Sequence, residues 1–173
     1  MFPPLTMAAL AGAAVLSGCS PALDWREVRL DAAALKTMLP CKPEKGSRQV
    51  TMAGRQVALD ALACEAANST FAVLSADIGS PAGAAVALRQ WQAATLATMR
   101  GRAVREIRFV PPGALDLPGS VQVVASGQRA DGKAIQGQAA YFARGNHVFQ
   151  AAVYATRLDV QATEPFFAGL RFE

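Results

Sequence analysis

Three cysteines and a single histidine are the side chains in this 173-residue sequence best suited to hold a metal, cycle between redox states or take a covalent group. Their spacing narrows the chemistry. Cys19, Cys41, Cys64 and His147 include no C-x-x-C pair and no fourth ligand at finger-like spacing, so neither a thiol redox centre nor a structural zinc site is indicated. His147 follows Gly145-Asn146 at the start of a strand-like run, the usual place of a solvated edge residue. Ser75 and Ser126 lie in strand-like runs without a G-x-S-x-G elbow, so a nucleophilic triad has no support either. The stretch "GSPAG" before a helix could cradle an anion, but no Lys or Arg lies within it and ordinary capping accounts for it. No catalytic residue, metal or cofactor is therefore expected.

The other cluster with chemical content is basic. Arg100, Arg102, Arg105 and Arg108 crowd a short stretch of a chain whose net charge is +4. Such a patch could contact anionic headgroups or an acidic partner. The plainer reading is a solvated strand face, with Glu106 offsetting part of the charge.

Cys19 takes its meaning from the segment before it. No ionisable side chain occurs from Met1 to Gly18, and Leu5 to Leu16 is a block of Leu, Met, Ala, Val and Gly with the single polar residue Thr6. At about 12 residues that block is short of the roughly 20 needed to cross a bilayer and matches the apolar core of a signal peptide. The residues Leu16, Ser17, Gly18 and Cys19 then read L-S-G-C, which resembles the lipobox of bacterial lipoproteins. The resemblance implies cleavage before Cys19, a diacylglyceryl group on its thiol and acylation of the new amine. Small Ser17 and Gly18 would give a protease access to the backbone. Each buried methylene contributes about 0.8 kcal/mol, so several acyl chains amount to a permanent anchor. Ser20 in place of Asp implies export to the outer membrane, with the domain facing the periplasm. A buried core cysteine and an ordinary secretory signal are the other readings of Cys19.

In that oxidising compartment Cys41 and Cys64 are left to pair. The run "SRQVTMAGRQVALDALACEA" reads as two strands about a tight turn at Ala53-Gly54, a hairpin whose partners' numbers sum to about 107. Cys41 and Cys64 miss that register by about two residues, which makes them diagonal cross-strand neighbours. A bridge would contribute roughly 3 kcal/mol on the chain-entropy estimate, against a total of about 5–15. Two free thiols remain the alternative.

The elements that would position these residues follow from periodicity. We divide the chain into a signal segment (1–18), a lipidated N-terminus and tether (19–24) and one domain (25–173). Hydrophobic residues at 52% and charged ones at 17% exclude disorder as the main state. Trp25–Leu30 and Leu35–Leu39 are short β-like runs, and "TFAVLSADI" is a further strand. Ser80 and Pro81 open a long helix with Ala84, Leu88, Trp91, Thr95 and Met99 on one stripe, closing at Arg100 and Gly101. Beyond it, Ile107, Val121, Val123, Ile135, Ala139, Tyr141, Phe149, Ala151 and Val153 alternate along antiparallel strands joined by turns at Ala130–Lys133 and Gly145-Asn146. A short helix, capped by Thr163 with Pro165 in its first turn, brings Phe166 and Phe167 to the core.

The order of elements, with "LPCKPE" ending an early strand and "FFAGLRFE" at the C-terminus, resembles the PsbP-like superfamily over Leu35 to Glu173. The fold expected is α+β: a largely antiparallel sheet of about six to seven strands with one long and one short C-terminal helix, layered α/β/α. The resemblance implies an accessory or binding role. The expected function is that of a non-enzymatic, membrane-anchored envelope lipoprotein. It would contact membrane lipid through its acylated N-terminus and another envelope protein through its domain. Nucleic acid is not an expected partner. A binder of a small apolar ligand, held between sheet and helix, and an enzyme with a site assembled from distant residues are the alternatives.

Overall fold

Residues 22–173 are described by a computed structural model of the chain, and Cys19 and the segment before it lie outside them. Alternating apolar residues produce seven antiparallel strands in one sheet: β3 (Glu44–Met52), β4 (Arg55–Ala66), β5 (Ser69–Asp77), β6 (Arg102–Arg108), β7 (Val121–Gln128), β8 (Ala134–Arg144) and β9 (His147–Ala155). Their spatial order is β3-β4-β5-β9-β8-β7-β6. With the long helix α1 (Ala84–Thr98) and the short helix α2 (Val160–Ala168), this is the α+β class that the periodicity predicts.

The first two β-like runs do not join that sheet. β1 (Arg26–Leu30) and β2 (Leu35–Leu39) pair with each other, and the last residues, β10 (Arg171–Phe172), add to β2. Helix α2 turns the chain back and places its end beside β2, so a second, three-stranded sheet forms. Its outer face carries an exposed charge network: Glu27 accepts from Arg171 at 2.5 Å, and Glu173 pairs with Arg29 at 2.8 Å and with Lys36.

The β3–β4 hairpin has the expected register, with Met52 opposite Arg55 and Glu44 opposite Ala63. Ala53 and Gly54 both have positive φ, 49° and 74°, the backbone of a two-residue hairpin turn that suits the twist of the strands. Cys41 lies just before β3 and bridges to Cys64 on β4, with Cα atoms 5.9 Å apart. The bridge ties the β2–β3 connection to the main sheet.

Two details of the helices depart from expectation. In α2 the cap is Asp159, whose carboxylate accepts from the Gln161 N–H at 3.0 Å. The helix thus begins a turn earlier than expected, which puts Thr163 and Pro165 in its interior. At the end of α1, Arg100 and not Gly101 takes the left-handed conformation, with φ 46°. The Gly101 N–H donates to the Leu96 carbonyl at 2.8 Å and the Arg100 N–H to Ala97 at 3.0 Å, a Schellman closure. Gly101 is required by close packing: a Cβ there would lie 2.9 Å from the Ser126 carbonyl oxygen. At the start of α1, Ser80 caps as expected, accepting from the Ala82 N–H at 3.3 Å, with Pro81 opening a single 3-10 turn.

The main sheet separates two cores. On one face Phe71, Phe142, Phe149, Phe166, Phe167 and Phe172 pack with Leu35 and Leu39 under α2 and the small sheet. On the other, Leu88 and Trp91 of α1 pack on Leu59, Val123, Tyr141 and Val148. No helix of the described residues is long and apolar enough to cross a membrane.

Candidate functional site

The basic cluster does not form one surface. In β6, Arg108 stands opposite Val121 and Glu106 opposite Val123, both partners belonging to the core under α1. Residues directly opposite in an antiparallel pair share a face. Arg108 and Glu106 therefore lie on the α1 side, where Arg108 pairs with Asp116 and Glu106 accepts from Gln92 at 2.7 Å. A bulge between Ala103 and Arg105 shifts the register, so Arg102, opposite Ser126, and Arg105, opposite Val124, share the other face. Arg100 is separate again, at the end of α1.

The lone histidine is likewise dispersed from any cluster. His147 stands opposite Asp77, its ring 6.3 Å from Phe149. The Gly79 N–H, donating at 2.7 Å, and then the Asn146 amide hold the Asp77 carboxyl below the ordinary range. These contacts close a turn.

What the fold does build is a groove between α1 and the sheet, with a cavity volume of about 710 Å³. Its origin lies in residue size. The first half of α1 presents Leu88 and Trp91, which fill the space above the sheet. The second half presents Ala94, Thr95 and Thr98, and beneath them β5 offers Thr70, Ala72 and Leu74. Small side chains on both surfaces leave a gap that Val50, Met52 and Leu59 extend toward the hairpin. Val50, Ala72 and Leu74 are only partly buried, so apolar surface lines an open space.

The far end of the groove is shaped by two glycines and a tyrosine. Gly137 is directly opposite Tyr154, and a Cβ there would lie 2.9 Å from the ring and 3.1 Å from the Met99 Cε. The missing side chain lets the Tyr154 ring lie across the strand and against the helix end. Gly127 makes room in the same way, since a Cβ would lie 2.4 Å from the Met99 carbonyl oxygen. That carbonyl accepts from the Gln128 N–H at 2.7 Å. One backbone contact thus brings together the segments that carry Arg100, after Met99, and Arg129, after Gln128.

Most of the surface of the groove is apolar, with Thr, Gln, Arg and Tyr side chains interspersed along it. Gln150 donates to the Tyr141 hydroxyl at 3.0 Å and to the Thr95 hydroxyl at 2.9 Å, and Thr95 donates to the Trp91 carbonyl at 3.0 Å. Burial pushes the Tyr141 and Tyr154 phenols above the ordinary range, so both stay protonated. The lining includes Arg48, Arg100 and Arg129 and, among the described residues, no carboxylate, imidazole or thiol. Such a set can bind by apolar contact and hydrogen bonding. A second hollow of about 460 Å³, between the small sheet and β3–β5, carries Arg29 and Lys45 but also Asp31 and Asp60, and so selects no charge.

Sequence reasoning located Arg100 but missed the rest of the groove. The available signal was the run of small residues at alternate positions of β5, β8 and β9 (Ala72, Gly137, Ala139 and Ala152) facing a helix whose second half is also small. No protein-family model matches the sequence, and no curated protein does. Among solved structures, one that matches is a protein of unknown function from Pseudomonas aeruginosa. It is 14% identical, covers 82% of this chain and 89% of its own, and superposes with a TM-score of 0.42, a likeness that leaves function to be argued from the groove.

Proposed function

We propose that this protein is a non-enzymatic, lipid-anchored envelope protein whose α+β domain is a binding module for a small apolar ligand. The observation that carries the reading is the groove under α1. Its volume falls in the range of about 300–1,000 Å³ typical of small-molecule sites, and its surface is mostly apolar with polar groups at its ends and along its side, the kind of surface that holds an apolar body and orients a polar tip. A macromolecular accessory would be better served by a filled core and a flat patch.

The anchor rests on L-S-G-C directly after the apolar block, and Ser20 supports an outer-membrane address facing the periplasm. Trp25 packs on Phe71, with ring centroids 6.3 Å apart, and the Asp24 N–H donates to the Pro40 carbonyl at 2.8 Å. The tether thus leaves the domain after only a few residues, which would hold the domain against the lipid surface. Intact mass of the protein extracted from envelopes tests the anchor: a chain starting at Cys19 with acyl groups is expected, and an unmodified Met1 start would remove it.

Photolabelling tests the binding module. The full chain in phosphatidylcholine vesicles is irradiated with a long-chain alcohol bearing a diazirine, and labelled peptides are mapped. The groove segments of α1 and β5 should carry the label above the rest of the domain. Uniform labelling would overturn the reading.

A second reading, contact with another envelope protein, is favoured by β6. It is exposed along its whole length at an open edge of the sheet, where unpaired backbone groups could accept a strand. Crosslinking in intact envelopes followed by pull-down should then recover a partner through residues 102–108, and its absence in repeated trials would remove this second reading.

A further inference from the structure

We infer that the groove selects a single-chain lipid with an anionic headgroup, seated with its head between Arg100 and Arg129 and its tail along β5. The inference rests on the proposed binding of an apolar ligand and adds the sign and position of the head. Arg48, Arg100 and Arg129 are three cations on a lining that has no anion, and among the described residues none of them forms an ion pair. Neighbouring carboxylates do not answer them. Glu65, across from Thr70 on β4 and on the same face, lies outside the lining and forms no ion pair with the arginines among the described residues, and Asp131 in the β7–β8 turn faces Lys133 at 3.5 Å. Arg100 and Arg129 are thus without a paired carboxylate at one end of the apolar slot, and Arg48 lies further along it, opposite Leu59.

The arrangement has a direction. The hydrogen bond from the Gln128 N–H to the Met99 carbonyl joins the backbones next to Arg100 and Arg129 at the end of α1, and both arginines line the groove there. The C-terminal end of a helix carries about half a negative charge, which by itself would disfavour an anion there. Two full guanidinium charges outweigh it, and the last carbonyls are already engaged by the Arg100, Gly101 and Gln128 N–H groups. Thr70 and Tyr154 stand opposite each other at the same end, and among the described residues the Tyr154 hydroxyl has no protein partner. The Tyr154 ring leans over Gly137 toward the helix end, so its hydroxyl is available to donate to head oxygens there, while Thr70, Ala72, Leu74 and Val50 lead away as a track for a chain. A neutral head would leave the arginines unanswered, and a cationic head would face them.

Three diazirine probes of equal chain length test this on the full chain in phosphatidylcholine vesicles: a carboxylate, an alcohol and a trimethylammonium. Labelling is normalised to each probe's content in the bilayer. The carboxylate should label the α1 and β5 groove peptides about five-fold or more above the alcohol, the scale of one or two partly screened charge pairs, and the trimethylammonium should label least. The double variant Arg100→Asn, Arg129→Gln should bring carboxylate labelling down to the alcohol level. Asparagine is chosen because it tolerates the left-handed backbone of residue 100. Arg102→Gln with Arg105→Gln, outside the groove, should leave labelling unchanged, which separates a local effect from net charge. Unchanged thermal unfolding shows that each variant is folded. If the alcohol labels the groove as strongly as the carboxylate, the anionic head is overturned while the apolar-ligand reading stands. If no probe favours the groove, the reading itself falls.

Discussion

The two faces of the main sheet are built from the same strands and do different work. Under α2 and the small sheet the space is filled by rings: Phe142 stacks on Phe149 at 5.4 Å, and Phe172 meets Phe149 edge-on at 5.2 Å. Under α1, the alternate residues of β5, β8 and β9 include Ala72, Gly137, Ala139 and Ala152, and half the helix lies over them without filling the gap. A close-packed face contributes stability, and an unfilled one leaves binding surface at the expense of it. One sheet thus carries a structural side and a ligand side.

The contrast can be broken most strongly on the filled face. Phe149 is fully buried, so Phe149→Ala should cost about 3–5 kcal/mol in urea unfolding. On the groove face, Leu74→Ala should cost only about 1 kcal/mol, because the side chain is only partly buried and borders an open space. Equal losses at the two positions would mean that the groove is packed shut in solution.

The disulfide belongs to the filled side, since Cys64 is buried among the rings. Replacing Cys41 and Cys64 together by alanine should lower stability by about 3 kcal/mol, read as a shift of the urea midpoint against the oxidised protein. Thr37 is a flaw on the same side. Its hydroxyl is fully buried and has no hydrogen-bond partner among the described residues. Thr37→Val keeps the shape and removes the unmet hydroxyl, so a gain of about 1 kcal/mol is expected in the same assay.

The smallest effect concerns the outer face of the small sheet. The Arg171 and Lys36 partners hold the Glu27 and Glu173 carboxyls below their ordinary value of 4.5. A depressed carboxylate contributes stability that is present above its unfolded pKa and lost as pH falls through the folded one. Lys36, raised above 10.5 by Glu173, contributes fully below that value and loses its share at higher pH. Glu27 and Glu173 are exposed and Lys36 only partly covered, so Glu173→Gln should lower Tm slightly at pH 7, with the difference from wild type vanishing near pH ~3. A difference that persisted in acid would assign the effect to something other than the ion pairs.

How much of this was legible in the sequence depends on the range of the interaction. The Ala53-Gly54 turn, the Ser80 cap, the helix stripe and the Cys41–Cys64 pair follow from spacing within one hairpin or one helix, and local spacing is what a sequence displays directly. The second sheet was not legible, because β10 meets β2 only after the whole chain has folded between them. The start of α2 was misjudged because Pro165 is usually a first-turn residue, whereas Asp159 provides the earlier cap. Of the groove, Arg100 stood out as a charge, but its neighbour Arg129 is brought to it by a backbone contact across distant segments. An unfilled volume is a property of two surfaces together, and neither strand nor helix declares it alone.

The central claim is that the gap under α1 is a binding site and not a packing defect. Ala72→Leu with Ala94→Leu adds apolar volume to the groove from both sides, and photolabelling by the diazirine alcohol and carboxylate probes reads the consequence. If the groove is the site, the filled variant keeps or raises its Tm and loses the groove label. Undiminished labelling of those segments in a folded, groove-filled protein would contradict the account.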